Sequence, residues 1–98
     1  MLNLFVTPEA ELDLETIYEY TFYNRGQIQA DKYQDDIFDA MSQMQHNGEF
    51  GSKYIHADLD YRKLLMNRHL IFYRVVNNDC VVVRILHERM NLLFELED

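Results

Sequence analysis

HLIFYRVVNNDCVVVRILHERMN, residues 69–91, is the stretch that decides the fold. Two runs rich in Ile, Val, Phe and Tyr flank the polar triplet Asn77-Asn78-Asp79, which is the pattern of a β-hairpin. The strands read as His69 to Val76 and Cys80 to His87. A three-residue loop pairs Val76 with Cys80, Arg74 with Val82 and Phe72 with Arg84. One face then carries Ile71, Tyr73, Val75, Val81, Val83, Ile85 and His87, and the other Leu70, Phe72, Arg74, Val82, Arg84 and Leu86. A two-residue loop would put Arg74 and Arg84 on opposite faces and drive one guanidinium into the core, where an unpaired charge is costly. The three-residue register is therefore expected. Both arginines then point away from the covered face, on a half-apolar surface of the kind that suggests a partner.

Upstream of the hairpin the period changes. Residues 2–6, LNLFV, read as a short strand. Thr7-Pro8-Glu9 is a helix start, with Thr as N-cap, Pro at the first helical position and acids in the first turn. Ala10, Leu14, Ile17, Tyr18 and Thr21 share one helical face, which carries the first helix to about Tyr23. Asn24-Arg25-Gly26 breaks it, since Gly26 is free to take positive φ. A second helix follows, its apolar side formed by Ala30, Tyr33, Ile37, Ala40, Met41 and Met44, and it ends at the glycines of the loop NGEFGS. So short a link between the helices implies an antiparallel helical hairpin. Beyond Tyr54 the chain is strand-like: Tyr61 to Met66 reads as a strand, while 54–60 carries no clear period. The expected architecture is α+β, a small antiparallel β-sheet packed against an N-terminal helical hairpin. Its order is β-α-α-β-β-β, in one domain spanning residues 1–98.

Composition agrees with a single small core. The 98 residues are 48% hydrophobic, with seven Tyr and six Phe, which marks a globular rather than a disordered chain. No apolar run is long enough to cross a bilayer, and MLNLFVTPEAE lacks the features of a signal peptide. The single cysteine, Cys80, cannot form an internal disulfide and reads as a small buried hydrophobe, which suits a cytoplasmic protein. The net charge of −8 is uneven: ten acids and two bases in residues 1–50, seven of each in residues 51–98. An acidic first half opposes attachment to nucleic acid; it suits a cationic partner or simply keeps a small protein soluble, and solubility alone accounts for the helical acids.

Several residues carry chemistry that core packing does not require. Arg74, Arg84 and Arg89 sit on or just after the hairpin, where a sheet has no structural need of them. Arg74 and Arg84 suit either a recognition surface or pairing with nearby carboxylates. His87 suits a pH-sensitive contact, a general base or a hydrogen-bonded structural histidine. His56, Asp58 and Asp60 have metal-binding chemistry, but no second histidine accompanies them, and no metal is expected. Tyr18, Tyr20, Tyr23 and Tyr33 read as packing, as do Met41, Met44 and Met66. Nothing resembles a phosphate-cradling glycine loop or a nucleophile spaced to a base, so neither a cofactor nor a catalytic residue is expected.

Three segments, in order and spacing, resemble the ParE toxins of the RelE/ParE toxin–antitoxin superfamily. They are Thr7-Pro8-Glu9-Ala10 opening a helix rich in Leu, Glu and Tyr, then Ile71-Phe72-Tyr73-Arg74-Val75, then Val83-Arg84-Ile85-Leu86-His87-Glu88-Arg89-Met90-Asn91. The likeness implies a type II toxin that binds and inhibits DNA gyrase without catalysis and is neutralised by a cognate antitoxin. It implies no membrane and no direct specific contact with nucleic acid. The alternatives are a RelE-type ribosome-dependent mRNA endonuclease and an inactive antitoxin-binding relative. In the nuclease reading Arg74, Arg84 and Arg89 hold phosphates and His87 handles the proton. The nuclease branch has an arginine just before the apolar residues of the third strand, where this chain has Leu70. It also has a tyrosine a few residues beyond the position of Arg89, for which this chain has none. The ParE reading therefore assigns Arg74, Arg84, His87, Arg89 and Asn91 to a target-binding surface. It assigns the apolar tail residues Leu92, Leu93, Phe94 and Leu96 to the antitoxin.

Overall fold

The computed structural model describes residues 1–90. Strand β1 (Asn3–Val6) leads into helices α1 (Pro8–Arg25) and α2 (Gln27–His46). Four strands follow, β2 (Ser52–His56), β3 (Leu59–Met66), β4 (His69–Val76) and β5 (Asp79–His87). Thr7 starts α1 as its composition predicts. Its backbone is extended and its hydroxyl oxygen accepts the Ala10 N–H at 3.1 Å. Gly26 alone joins the helices, at φ 90°, a conformation that a side chain would oppose. The helical hairpin is therefore as tight as a chain can make it.

The strands form one sheet in the order β1-β5-β4-β3-β2, with the helices against one face. The α+β class stands, with two changes of detail. β1 pairs in parallel with β5, Asn3 opposite Asp79 through Val6 opposite Val82, so the sheet is mixed rather than purely antiparallel. A further strand, β2, forms the opposite edge and pairs with β3. Its side chains gave no alternating signal because an edge strand leaves even Ile55 70% exposed. The three hairpins turn on two residues each, Ala57-Asp58, Asn67-Arg68 and Asn77-Asn78. The first residue of each takes positive φ, as two-residue turns between twisted strands demand.

The register of the deciding hairpin corrects the expectation. The loop has two residues, so Val76 lies opposite Asp79, Val75 opposite Cys80 and Arg74 opposite Val81. Tyr73 still follows this shifted register, opposite Val82; a bulge then leaves Val83 with no residue opposite it, and the expected pairing returns from Phe72 opposite Arg84 onward. Cys80 and Val82, not Val81 and Val83, therefore join Ile71, Tyr73 and Ile85 in the core. The objection to a two-residue loop assumed an unbroken ladder. One extra residue satisfies both the turn and the arginines.

The core is the meeting of that face with α2. Ile37, Ala40, Met41 and Met44 pack with Ile71, Tyr73, Val82 and Ile85, and Ala10, Leu14 and Ile17 bring in α1. All lie on the helical stripes read from the periodicity. Burial pushes the Cys80 thiol up to about 11, so it is an inert core residue. The opposite face is not bare, because Phe72 and Leu86 are also buried.

Two of the polar ties that hold the helices and loops to the sheet rest on well-buried groups. The Tyr73 hydroxyl, fully buried, accepts the Gly51 N–H at 2.7 Å and donates to the Gly48 carbonyl at 3.0 Å, anchoring the loop between α2 and β2. Gly51 leaves no room for a side chain: a Cβ there would lie 2.8 Å from the Lys63 carbonyl oxygen. The second tie is Asp13 of α1. Its carboxylate accepts from Arg84 Nε at 2.8 Å, from Arg84 Nη2 at 3.0 Å and from the Ile85 backbone N–H at 2.9 Å. This is a bidentate, largely buried pair that also satisfies a strand-edge donor beyond the reach of β1.

Removing these ties has calculable consequences. Tyr73→Phe leaves the Gly51 N–H without its partner and is expected to cost about 1–3 kcal/mol in urea denaturation. Gly51→Ala should cost at least about as much, through overpacking. Asp13→Ala, which strands the Ile85 N–H and strips Arg84 of its bidentate acceptor, is expected to cost about 2–4 kcal/mol. Asp13→Asn, which keeps an acceptor for Ile85, should lose less. If all three positions tolerate substitution within about 0.5 kcal/mol, as ordinary surface sites do, they are not structural ties.

Candidate functional site

The end of β5 and the turn between β3 and β4 lie beneath the helical hairpin and enclose a cleft of about 760 Å³. Its walls come from α1 (Ile17, Tyr20, Thr21, Arg25), from α2 (Tyr33), from Arg68 and His69, and from Ile85, His87, Arg89 and Met90. The pairing of β4 with β5 sets His69 directly opposite His87, and their rings meet edge to face with centroids 5.3 Å apart.

Hydrogen bonding distinguishes the two imidazoles. The Tyr33 hydroxyl donates to the Met66 carbonyl at 3.0 Å and also meets His69 Nδ1 at 2.6 Å. A phenol has one proton, so with that proton given to Met66 the donor in the second contact is His69 Nδ1–H. Neutral His69 then carries its lone pair on Nε2. His87 is the converse: Nδ1 accepts the Arg89 backbone N–H at 3.1 Å, which leaves Nε2 as the protonated nitrogen. Burial, followed by the proximity of His87, holds the His69 pKa below its ordinary value, against the opposing pull of Glu88 and Asp13. Burial pushes Tyr33 up to about 12, so the phenol keeps its proton at any physiological pH.

The cleft is also where the acidic chain gathers cations. Arg25, Arg68 and Arg89 are exposed around it, and none of the three side chains has an ion-pair partner among the described residues. Among the described residues Asp13 is the one acid in its lining, and its oxygens are occupied by Arg84 and Ile85.

Of the five residues expected on a target surface, the cleft holds two, His87 and Arg89. Arg74 is on the other face of the sheet. There its Nε donates to the Asp60 carbonyl at 3.3 Å and its guanidinium lies 5.9 Å from the Tyr61 ring centroid. Arg84 is held by Asp13. Asn91, Leu92, Leu93, Phe94 and Leu96 lie outside the described residues. The residues that the sequence reading missed are Arg25, Arg68, His69 and Tyr33. His69 had a signal, since pairing Phe72 with Arg84 already places it opposite His87. Arg25 had none, because only the tertiary path of α1 brings it near.

His56, Asp58 and Asp60 do not converge. Ala57-Asp58 is the hairpin turn, His56 is buried and stacked on Tyr54, and Asp60 is paired opposite Ile55 on the other face. No group of three metal-ligating side chains occurs among the described residues, nor does any helix there have the length and apolarity to cross a membrane.

Comparison with known proteins places this geometry in context. Residues 4–92 match the family described as the ParE toxin of the type II toxin–antitoxin system, parDE. Toxin ParE1 of Mycobacterium tuberculosis (strain H37Rv) is 33% identical over 88 residues, covering 89% of this chain and 90% of the relative. Among solved structures, the chromosomal ParDE toxin–antitoxin system from P. aeruginosa superposes with a TM-score of 0.76 at 24% identity, over 89% of this chain and 96% of that one. The YoeB dimer from Staphylococcus aureus follows with a TM-score of 0.58 at 21% identity, over 88% and 95% of the two chains. The structural likenesses speak to the fold alone, but the sequence matches span nearly the whole chain. It belongs to the ParE toxin family of type II toxin–antitoxin systems.

Proposed function

We propose that the chain poisons its host cell by binding DNA gyrase in the cytoplasm, without catalysis, and that a cognate antitoxin neutralises it. Membership of the ParE family is the observation that carries this reading. The separation of Arg74 and Arg84 from His87 and Arg89, the groups that the nuclease reading would combine, supports it. An mRNA endonuclease must bring its phosphate-holding groups and its proton-transfer group to one bond. Here Arg74 and His87 are on opposite faces of the sheet, Arg84 is tied to Asp13, and Leu70 stands where the nuclease branch has an arginine.

His87 and Arg89, joined by Arg25 and Arg68, are the surface proposed to meet the target, and Asn91, outside the described residues, is proposed as a target contact from the resemblance alone. An antitoxin partner is supported by the nature of the structural neighbours, a ParDE system and a YoeB–YefM complex. Its proposed contacts are Leu92, Leu93, Phe94 and Leu96.

The test is a supercoiling assay with purified gyrase and the purified chain. The chain should block supercoiling, and Arg89→Ala should weaken the block by at least about tenfold, as loss of a central arginine anchor does, with an unchanged urea midpoint. In cells, thymidine incorporation should fall before methionine incorporation. A chain that spares gyrase but halts a cell-free translation extract is an mRNA nuclease, and the gyrase reading is then wrong. Deleting residues 92–98 should weaken antitoxin binding by calorimetry; unchanged affinity removes those contacts.

A further inference from the structure

The cleft has an excess of donors and a shortage of acceptors. Arg25, Arg68 and Arg89 offer guanidinium groups with no ion-pair partner among the described residues, and His87 offers Nε2–H. The one carboxylate that the described residues place in the lining, Asp13, already accepts three hydrogen bonds. Whatever fills this space must bring its own acceptors and negative charge. A long polyanion is unsuited to it, because residues 1–50, which build the helical wall, carry ten acids against two bases. A single anionic group on an apolar body suits it better, since Ile17, Tyr20 and Met90 supply apolar wall beside the cations.

We propose that the cleft is the receptor for one carboxylate side chain of a protein partner, an Asp or Glu flanked by an apolar residue, and that seating it brings a proton onto the His69–His87 pair. The proposal rests on the reading of the chain as a protein-binding toxin, and it names the chemistry of the contact. The proton uptake follows from the tautomers. With both imidazoles neutral, His87 can donate from Nε2 but His69 presents a lone pair there, so the two cannot both bind an anion. Several groups face the pair. Tyr33 does so from α2, with Asp36 acting on its phenol, Asp13 and Arg25 from α1, Arg68 from the turn, and Glu88 and Arg89 from beyond β5. With His69 buried and disfavoured as a cation, an incoming carboxylate reverses the balance: the proton comes from solvent, and both Nε2–H groups then donate. Binding must therefore tighten as pH falls toward the histidine range.

The experiment uses the full chain with isotope-labelled histidine, observed by NMR. The probe is acetyl-Leu-Glu-Phe-amide, compared with its glutamine counterpart. The ring signals of His69 and His87 should move with the glutamate peptide and stay in place with the glutamine peptide. Affinity should be at least about fivefold higher near about pH 6 than near about pH 7.5. The double variant Arg68→Ala, Arg89→Ala should lose the response. His69→Gln, which cannot take up the proton, should bind near about pH 6 no more tightly than the unaltered chain does near about pH 7.5 and should lose the pH dependence, which a merely structural histidine would not explain. Equal response to the glutamine peptide overturns the proposal, as do pH-independent binding and no movement up to about 20 mM peptide. So does tighter binding of inorganic phosphate or of a thymidine oligonucleotide. The gyrase assay separates the two readings. Peptide binding without gyrase inhibition keeps the carboxylate site and removes gyrase, while gyrase inhibition without peptide binding removes the carboxylate site alone.

Discussion

The outer edge of β5 is the constraint on which the rest of the structure depends. β5 pairs on one side with β4, but β1 reaches only as far as Val82 on the other. Beyond that point the edge would be left with unpaired polar groups. Thr7 covers the Val83 carbonyl with its hydroxyl at 2.8 Å, and Asp13 covers the Ile85 N–H. Both residues belong to the start of α1, so the helix is fixed to the sheet by the same bonds that finish the strand. The bulge at Val83 lies where strand pairing gives way to side-chain pairing. It keeps Arg84 opposite Phe72, and Asp13 then receives the Arg84 guanidinium without a charge entering the apolar core. Ile85 and His87 consequently return to the helix-covered face, and the end of α1 comes to rest over them.

How much of this could be read from the residues depended on whether the signal was local. The helical stripes, the Thr7 cap and the Gly26 break each follow from side chains three or four positions apart or from one backbone requirement, and each was legible. The parallel pairing of β1 with β5 joins residues 76 apart, and no local pattern encodes it. β2 has Lys53 and a solvent-exposed Ile55 where alternation would be sought, because an edge strand is built to discourage pairing. The hairpin register failed for a single residue. Asn77-Asn78 alone makes the turn, and Val83 absorbs the offset, but a bulged valine looks like any other valine in a run of three.

The same distinction governs the site. Arg74, Arg84 and Arg89 were grouped because they are close in sequence and lack a role in a hairpin. The fold gives them three different environments: over the Tyr61 ring, against Asp13, and at the mouth of the cleft. Arg84 turned out to have a structural role after all, with a carboxylate from a helix 71 positions away rather than from the sheet. The cleft assembles cations from the end of α1, the second hairpin turn and the tail of β5. Such convergence is tertiary, so charge counts along the chain do not reveal it.

The acidic whole and the cationic cleft are complementary rather than contradictory. Screening limits the reach of an exposed charge to about 8 Å at physiological ionic strength. Within that distance the arginines of the cleft govern what an approaching group feels. Over longer distances the net charge of −8 governs instead. A nucleic acid, which must lay many phosphates along the surface, meets the acids of both helices before it can use the cleft. A protein partner needs to bring only one acid into range and can face the helices with neutral or basic residues. The charge distribution therefore selects for a local, singly anionic contact and against an extended one.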